Sequence, residues 1–158
     1  MFRNEYYHDV DAPAANSVTP TAFAVARDDA GWVLLVRRAD TGLWELPGGR
    51  VELGESATVA AEREVAEESG VTVKVTRLAG VYTDPGHVMA YPSTGEIRQQ
   101  FAVCFHAEAV TGLPHPDEQE TCDAAWFHPA RLHGLPIHPS MRLRIEQALA
   151  QPDEPHLG

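Results

Sequence analysis

Short apolar runs separated by polar turns predict that the chain opens its folded part with two β-strands. Residues 21–26 and 32–37 are apolar and partly β-branched, and the intervening Asp28-Asp29-Ala30-Gly31 is typical of a hairpin turn. A shorter apolar segment over residues 43–46 follows, and it ends at Pro47-Gly48-Gly49. These positions therefore predict strands joined by tight turns.

Residues 56–69 contain neither Gly nor Pro and predict the central helix. Ser56 suits the N-cap position, because its side-chain oxygen can accept a hydrogen bond from the first turn. Gly70 suits the position after the helix, where a left-handed backbone is common. Residues 71–82 begin with valines alternating with polar residues, which predicts that a long strand follows the helix.

The second half of the chain predicts two further strands and a closing helix. The strands cover residues 97–109 and 122–127, and an acidic loop over residues 113–120 lies between them. Ser140 can cap a final helix whose apolar residues share one face. Mixed strands with two helices indicate the α/β (α+β) class, with a mixed sheet between helices.

The length of 158 residues indicates one domain. Residues 1–17 are polar and predict an N-terminal arm that is either loose or docked elsewhere. We expect the domain to cover residues 18–150 and a polar tail to cover residues 151–158.

A formal charge of −11 argues against broad binding of nucleic acid, which needs Lys and Arg to neutralise phosphates. No apolar run reaches the roughly 18 to 20 residues of a membrane span, and the first residues lack an apolar signal segment. We therefore expect a cytoplasmic protein with no membrane partner. Cys104 and Cys122 lack metal-like spacing and are expected to be buried small hydrophobes, and the eight histidines are given no catalytic role.

Three carboxylates of the predicted helix share one face. Glu64, Glu67 and Glu68 fall within a sector about 100° wide on a helical wheel. Like charges at these spacings destabilise a helix, and anions in its last turn oppose the helix dipole. A solvated acidic face is one interpretation, and a bound cation that compensates these charges is the other. Oxygen ligands favour Mg²⁺, or Mn²⁺, over zinc.

The neighbourhood of this helix favours the metal interpretation. Arg63 precedes Glu64, and an ion pair between Arg63 and Glu55 could fix the preceding loop against the helix. The Gly48-Gly49 backbone is accessible close to the helix, where a carbonyl oxygen could complete a metal shell.

The segment from Gly49 to Val71 resembles the signature of the Nudix hydrolases. Gly49, five residues, Glu55, seven residues and then Arg63-Glu64-Val65-Ala66-Glu67-Glu68-Ser69-Gly70-Val71 match the family pattern G-x5-E-x7-R-E-U-x-E-E-x-G-U, where U is aliphatic. The resemblance implies an αβα sandwich in which a loop, a helix and a loop hold divalent metal against a pyrophosphate. It also implies water attack on one phosphorus of a nucleoside diphosphate linked to another moiety.

The resemblance assigns roles to this segment residue by residue. It implies that Glu64, Glu67 and Glu68 bind the metal together with the carbonyl of Gly49. It implies that Glu55 and Arg63 support the site as a pair.

The general base is left open between several carboxylates. Glu120 is our first candidate, because many family members place an acid on the loop before the last core strand, and Glu118 and Asp117 come next. This loop could equally be a solvated acidic turn. Glu67 or Glu68 could also accept the proton, since a carboxylate needs only hydrogen-bond reach of the water.

Cationic and aromatic residues provide candidates for contacts with a nucleotide. Arg50 and Arg98 are preferred as phosphate ligands over Arg37 and Arg38. The candidates for base stacking are Tyr82, Tyr91, Phe101 and Trp44. Three further aromatics are expected in the core, namely Trp32, Phe105 and Trp126.

The substrate is predicted only by class. Pro85 lies fifteen residues after Gly70, an offset that resembles a marker of the ADP-ribose pyrophosphatases, and a rigid Pro-Gly turn could wall a ribose pocket. A nucleotide sugar such as ADP-ribose is therefore favoured. One alternative is a normal or oxidised (d)NTP, and dinucleoside polyphosphates and capped RNA stay open, although the charge of −11 argues against long RNA. An alternative of another class is a non-catalytic nucleotide-sensing module, against which the intact motif argues. A homodimer is a further expectation.

Overall fold

The computed structural model describes residues 2–158 and places in them ten strands and two α-helices. The strands are β1 Asn4–Tyr7, β2 Ser17–Arg27, β3 Val33–Arg38, β4 Trp44–Glu45, β5 Gly48–Arg50, β6 Thr72–Tyr82, β7 His87–Tyr91, β8 Glu96–Thr111, β9 Thr121–Phe127 and β10 His156–Leu157. The α-helices are α1 Ala57–Ser69 and α2 Pro139–Ala150, and a 3₁₀ helix covers Pro129–Gly134.

The strands form one mixed sheet around β8. Strand β8 pairs in parallel with β2 along eleven positions, and antiparallel with β7 and β6. On the other side of β2, strands β3 and β5 pair antiparallel, and β3 continues to β4 and β9. Because parallel β2 and β8 cannot be joined by a hairpin, the chain between them crosses over through α1.

Alternation along the central strands places one helix on each face of the sheet. In β2, Ala24 packs with Val65 of α1, whereas Val25 packs with Ile145 of α2. In β3, Leu34 lies on the α1 side with Ala24. The mixed α/β fold class is thereby confirmed.

Both ends of the chain add strands to this sheet. The predicted arm contains β1, which pairs antiparallel with β7, and the predicted polar tail contains β10, which pairs in parallel with β6. Strand β7 itself was not predicted, because its five residues carry no clear alternation of apolar and polar positions. No helix within residues 2–158 is long and apolar enough to cross a membrane.

Several local expectations are wrong. Helix α2 is capped by His138, whose Nδ1 accepts from the Ser140 backbone N–H, because Pro139 takes the first helical position. Trp32 is 38% exposed rather than in the core, since it lies just before the start of β3, where its ring contacts His128 edge-on. Cys104 is buried as expected, but Cys122 is exposed.

Candidate active site

Helix α1 has the limits that its caps predict. The Ser56 hydroxyl oxygen accepts the Val59 N–H at 3.2 Å, and Gly70 adopts φ +71° and donates its N–H to the Ala66 carbonyl. Val65 is fully buried against the sheet. The packing of Val65 therefore fixes the rotation of the helix about its axis. This rotation also fixes the direction in which Glu64, Glu67 and Glu68 point.

The acidic face divides into a buried part and an exposed part. Glu68 is only 6% exposed and hydrogen-bonds Glu64, whereas the Glu67 side chain is 59% exposed. Burial, and then the charges of Glu45, Glu64 and Glu120, raise the pKa of Glu68 well above its usual range. Burial also raises the pKa of Glu64. Several carboxylates thus converge on one buried point.

Arg63 ties this segment together, and the predicted ion pair with Glu55 is present. The guanidinium binds both Glu55 oxygens, with Nη2–Oε1 at 2.7 Å and Nε–Oε2 at 2.8 Å. It also donates to Glu64 Oε1 at 3.0 Å, to Glu67 Oε2 at 3.2 Å and to the Arg50 carbonyl at 3.0 Å. The hydrogen bonds from Arg63 lower the pKa of Glu55 to about 2. One planar side chain therefore positions the loop and two acidic residues of the helix.

Gly49 brings backbone against the buried carboxylates. It lies in β5, where it pairs with Ala22 of β2. A Cβ atom added at Gly49 would stand 2.6 Å from Glu64 Oε1, so the close approach requires glycine. The structure thus brings Gly49 and Glu64 together, as the site hypothesis requires.

The loop before β9 places one of the three candidate bases near the helix. Glu120 lines the same pocket as Glu64 and Gly49, and its charge contributes to the raised pKa of Glu68. Asp117 instead organises the loop, because its Oδ1 accepts the N–H groups of Gln119, Glu120 and Thr121. Glu118 is exposed and adopts φ +64°. This geometry favours Glu120 over its two neighbours.

A pocket of about 460 Å³ adjoins the acidic cluster, and Glu64, Gly49 and Glu120 contribute to its wall. Its other lining residues come from the arm, from strands β2, β3, β5, β7 and β8 and from the loops that follow β5 and β7, and they are Arg3, Thr21, Phe23, Arg38, Gly48, Arg50, Glu52, Met89, Tyr91, Thr94, Glu96, Arg98 and Gln100. A cleft of this size that meets buried carboxylates is a candidate active site.

Arg50 and Arg98, the preferred cations, both line this pocket. Arg98 is 6% exposed, donates to Glu96 Oε1 at 2.9 Å and lies over the Tyr91 ring at 4.7 Å. Arg50 is exposed at the end of β5.

Two predicted substrate residues lie outside this pocket. The Tyr82 hydroxyl donates to Gln147 Oε1 at 2.7 Å, and its ring stacks on His156. Pro85 belongs to the turn before β7 and does not line the pocket.

Of the other aromatic candidates, Trp44 packs edge-on against Phe127 in the core. Phe101 is 37% exposed and does not line the pocket. Tyr91 is the stacking candidate that the structure places in the pocket wall.

The structure adds residues that the sequence did not single out. Glu45 is 7% exposed, and its carboxylate contacts Arg3 Nη2 at 3.1 Å and Arg38 Nη1 at 3.4 Å. Gln100 is 2% exposed, donates to Thr21 Oγ1 at 3.2 Å and has no partner for its Oε1 among the described residues. Gln100 lies on β8 within an apolar strand, and a buried polar residue there was the one sequence signal that could have found it.

Comparison with known proteins shows that the similarity extends well beyond the segment from Gly49 to Val71. The model of the NUDIX domain matches residues 18–148. The chain is 36% identical over 114 residues to a putative 8-oxo-dGTP diphosphatase of Bacillus subtilis, which covers 72% of this chain and 69% of that protein. It is 42% identical over 66 residues to an ADP-ribose pyrophosphatase of Methanocaldococcus jannaschii, covering 37% of this chain and 39% of that one.

The fold is also similar to that of solved structures of this family. A crystal structure of an ADP-ribose pyrophosphatase from Streptococcus suis superposes with a TM-score of 0.69 at 20% identity, covering 90% of this chain and 100% of that chain. At this identity the likeness concerns the fold alone.

Proposed function

The chain belongs to the Nudix hydrolase family, and from this premise we propose that it hydrolyses the pyrophosphate linkage of a nucleotide sugar such as ADP-ribose, with a divalent cation as cofactor. The observation that carries the proposal is the acidic cluster of Glu64 and buried Glu68, in which Glu64 lines a pocket of about 460 Å³ together with the guanidinium groups of Arg50 and Arg98.

The acidic cluster fits a divalent cation. Burial, and then three neighbouring carboxylates, raise the pKa of Glu68. A divalent cation bound beside Glu68 would stabilise its ionised form and offset the repulsion among these carboxylates. Glu64, Glu67, Glu68 and the Gly49 carbonyl would hold Mg²⁺ or Mn²⁺, which prefer oxygen ligands. Bound there, the cation supplies charge neutralisation for the phosphates and a lower pKa for a coordinated water.

Residues of the chain provide the proton transfer and the orientation. A carboxylate oxygen of Glu120 accepts a proton from the attacking water as its oxygen bonds to phosphorus. The bridging P–O bond then breaks, and the leaving phosphate keeps the electron pair. Arg50, exposed at the end of β5, binds phosphate oxygens and keeps the linkage in line with the attack, whereas Arg98 holds Glu96 at the pocket wall.

The charge balance of the pocket favours a sugar over a third phosphate. Arg98 is already paired with Glu96, and Arg3 with Glu45. Hydrogen bonds from Arg98 lower the pKa of Glu96 to about 2, so this wall presents an anionic acceptor at neutral pH. A carboxylate accepts hydrogen bonds from ribose hydroxyls but repels a terminal phosphate.

A (d)NTP is the second candidate, and the Gln100 amide favours it. Its unpartnered Oε1 on the pocket wall could accept from a base edge, and the Bacillus subtilis relative is named for an oxidised nucleotide.

Product analysis separates the two candidates. Purified protein and Glu68→Gln are incubated with Mg²⁺ and, separately, with ADP-ribose, other nucleotide sugars, diadenosine polyphosphates, and normal and 8-oxo (d)NTPs. AMP plus ribose 5-phosphate from ADP-ribose, absent with the variant, supports the proposal. A nucleoside monophosphate plus pyrophosphate from one triphosphate overturns it in favour of the second candidate. Nucleotide binding without turnover of any compound would favour a sensing module.

A further inference from the structure

Three side chains able to bind a transition metal meet where β1 packs against β7 and the start of α2. His87 Nε2 lies 2.6 Å from Glu5 Oε1, and His138 Nδ1 lies 3.6 Å from the same oxygen. One ligand atom of each residue lies within 4.8 Å of the other two. Because the residues come from three separate elements, only the folded chain forms this cluster.

The cluster is shielded and adjoins a small cavity. The His87 side chain is 3% exposed, and those of Glu5 and His138 are 13% and 20% exposed. Tyr7 presents an edge-on ring contact to both imidazoles, with centroids 5.3 Å and 5.7 Å away. A cavity of about 140 Å³ lined in part by Tyr7, His87 and Ser140 has room for a water molecule or another small ligand.

Two acceptors face each other inside the cluster. As the N-cap of α2, His138 Nδ1 accepts the Ser140 backbone N–H at 3.2 Å and lies 2.7 Å from Ser140 Oγ, so a metal bound to this nitrogen takes the place of the bonds with Ser140. The same nitrogen faces the Glu5 carboxylate oxygen at 3.6 Å. A cation bound between the two atoms would be attracted by both of them.

We propose that Glu5, His87 and His138 bind a transition-metal cation of the Zn²⁺ type, at a site separate from the acidic cluster of α1. Two imidazole nitrogens and one carboxylate oxygen are a typical Zn²⁺ donor set, whereas Mg²⁺ prefers oxygen ligands alone. Tetrahedral bonds of about 2.0–2.2 Å separate ligand atoms by roughly 3.3–3.6 Å. The separations of 2.6 Å and 3.6 Å from Glu5, and the third separation of at most 4.8 Å, require side-chain movements of about 1 Å to reach this geometry.

The site would anchor the strand that borders the candidate active site. Arg3 lies 3.7 Å from the Glu5 carboxylate and lines the large pocket. A metal that holds Glu5 to β7 and α2 therefore also holds Arg3 in the pocket wall. The proposed metal therefore has a structural role: it holds the N-terminal residues against β7 and α2.

Metal binding to the full chain tests the proposal. Protein freed of metal with a chelator is dialysed against excess Mg²⁺, which occupies sites that prefer oxygen ligands, and is then titrated with Zn²⁺ and, separately, with Co²⁺. We expect one saturable equivalent of Zn²⁺, a higher unfolding temperature with Zn²⁺, and visible Co²⁺ absorption of the intensity given by four or five ligands.

Matched variants locate the metal. His138→Asn keeps a good N-cap but removes the imidazole, so its Zn²⁺ affinity should fall by at least ~10-fold while the metal-free protein stays folded. His8→Asn is the control, since His8 is exposed and pairs with Asp84 outside the cluster. Equal Zn²⁺ binding by His138→Asn and the unchanged protein would overturn the proposal. So would loss of the Zn²⁺ equivalent in Glu68→Gln with its retention in His138→Asn.

Discussion

The backbone of Gly49 lies directly against the carboxylate of Glu64: an added Cβ would stand 2.6 Å from Oε1 and 2.7 Å from Cδ. These atoms end a flexible side chain, so Gly49→Ala should displace Glu64 without unfolding the protein. We expect kcat/KM to fall by ~10²-fold, the scale of a displacement of about 1 Å at a reacting centre. Steady-state kinetics and thermal unfolding check both expectations.

Gly134→Ala is the control for this substitution, because a Cβ added there meets no atom within 4 Å. It should leave activity and unfolding temperature unchanged. If Gly49→Ala retained full activity, the close approach of Gly49 to Glu64 would have no role in the reaction.

Glu68→Gln should separate activity from stability. The substitution removes a buried carboxyl group whose pKa is raised by burial and by its acidic neighbours, so the unfolding free energy of the metal-free protein at pH 8 should rise by at least ~1 kcal/mol. Turnover should fall by at least ~10³-fold, because a group that holds the catalytic cation is lost. Urea unfolding and product formation are the two measurements.

Glu146→Gln removes an exposed carboxylate from α2 and serves as the control. A mild loss of turnover in Glu68→Gln would mean that Glu68 does not ligate the metal.

Arg63→Lys should weaken the whole segment although it keeps the charge. An ammonium group cannot reproduce the two-pronged contact with Glu55 while also reaching Glu64. The Mg²⁺ concentration needed for half-maximal activity should therefore rise by ~10–100-fold. A double-mutant cycle with Glu55→Gln should show strong non-additivity, and additive effects would mean that the two residues act independently.

Glu120→Gln should lower kcat by ~10²-fold or more and leave KM nearly unchanged, if Glu120 accepts the proton from water. The acidic limb of the pH–kcat profile should disappear with it. Glu118→Gln is the matched control on the same loop, at an exposed residue. Loss of kcat with an unaltered pH profile would instead assign the base to the helix carboxylates.

The sequence predicted those parts of the fold and site that depend on residues close together in the chain. Caps at Ser56 and Gly70 define α1, and the pair of Arg63 with Glu55 spans only eight residues, so local pattern was sufficient. The mixed sheet followed from the apolar runs.

Contacts between distant residues could not be predicted in this way. Glu45 meets Arg3 across 42 residues, and this contact exists only because β1 adds to the sheet beside β7. Tyr82 was a candidate for base stacking, but the register of β6 and the packing of α2 direct its hydroxyl to Gln147. Such positions depend on how the strands pair and how the helices pack on them. The pattern of apolar and polar residues in a single sequence does not reveal this pairing.

The ion pair of Glu96 with Arg98 should make stability depend on pH in the acidic range. Arg98 lowers the pKa of Glu96 from its ordinary 4.5 to about 2 in the folded protein. The pair therefore stabilises the fold above pH 4.5, and this contribution is lost as the pH falls towards 2. The difference in unfolding free energy between the unchanged protein and Glu96→Gln should be largest near pH 7 and shrink by pH 3. Urea unfolding at both pH values, with Glu108→Gln as the control for a carboxylate on the same strand, measures it. A difference that stayed constant between pH 7 and pH 3 would contradict the lowered pKa.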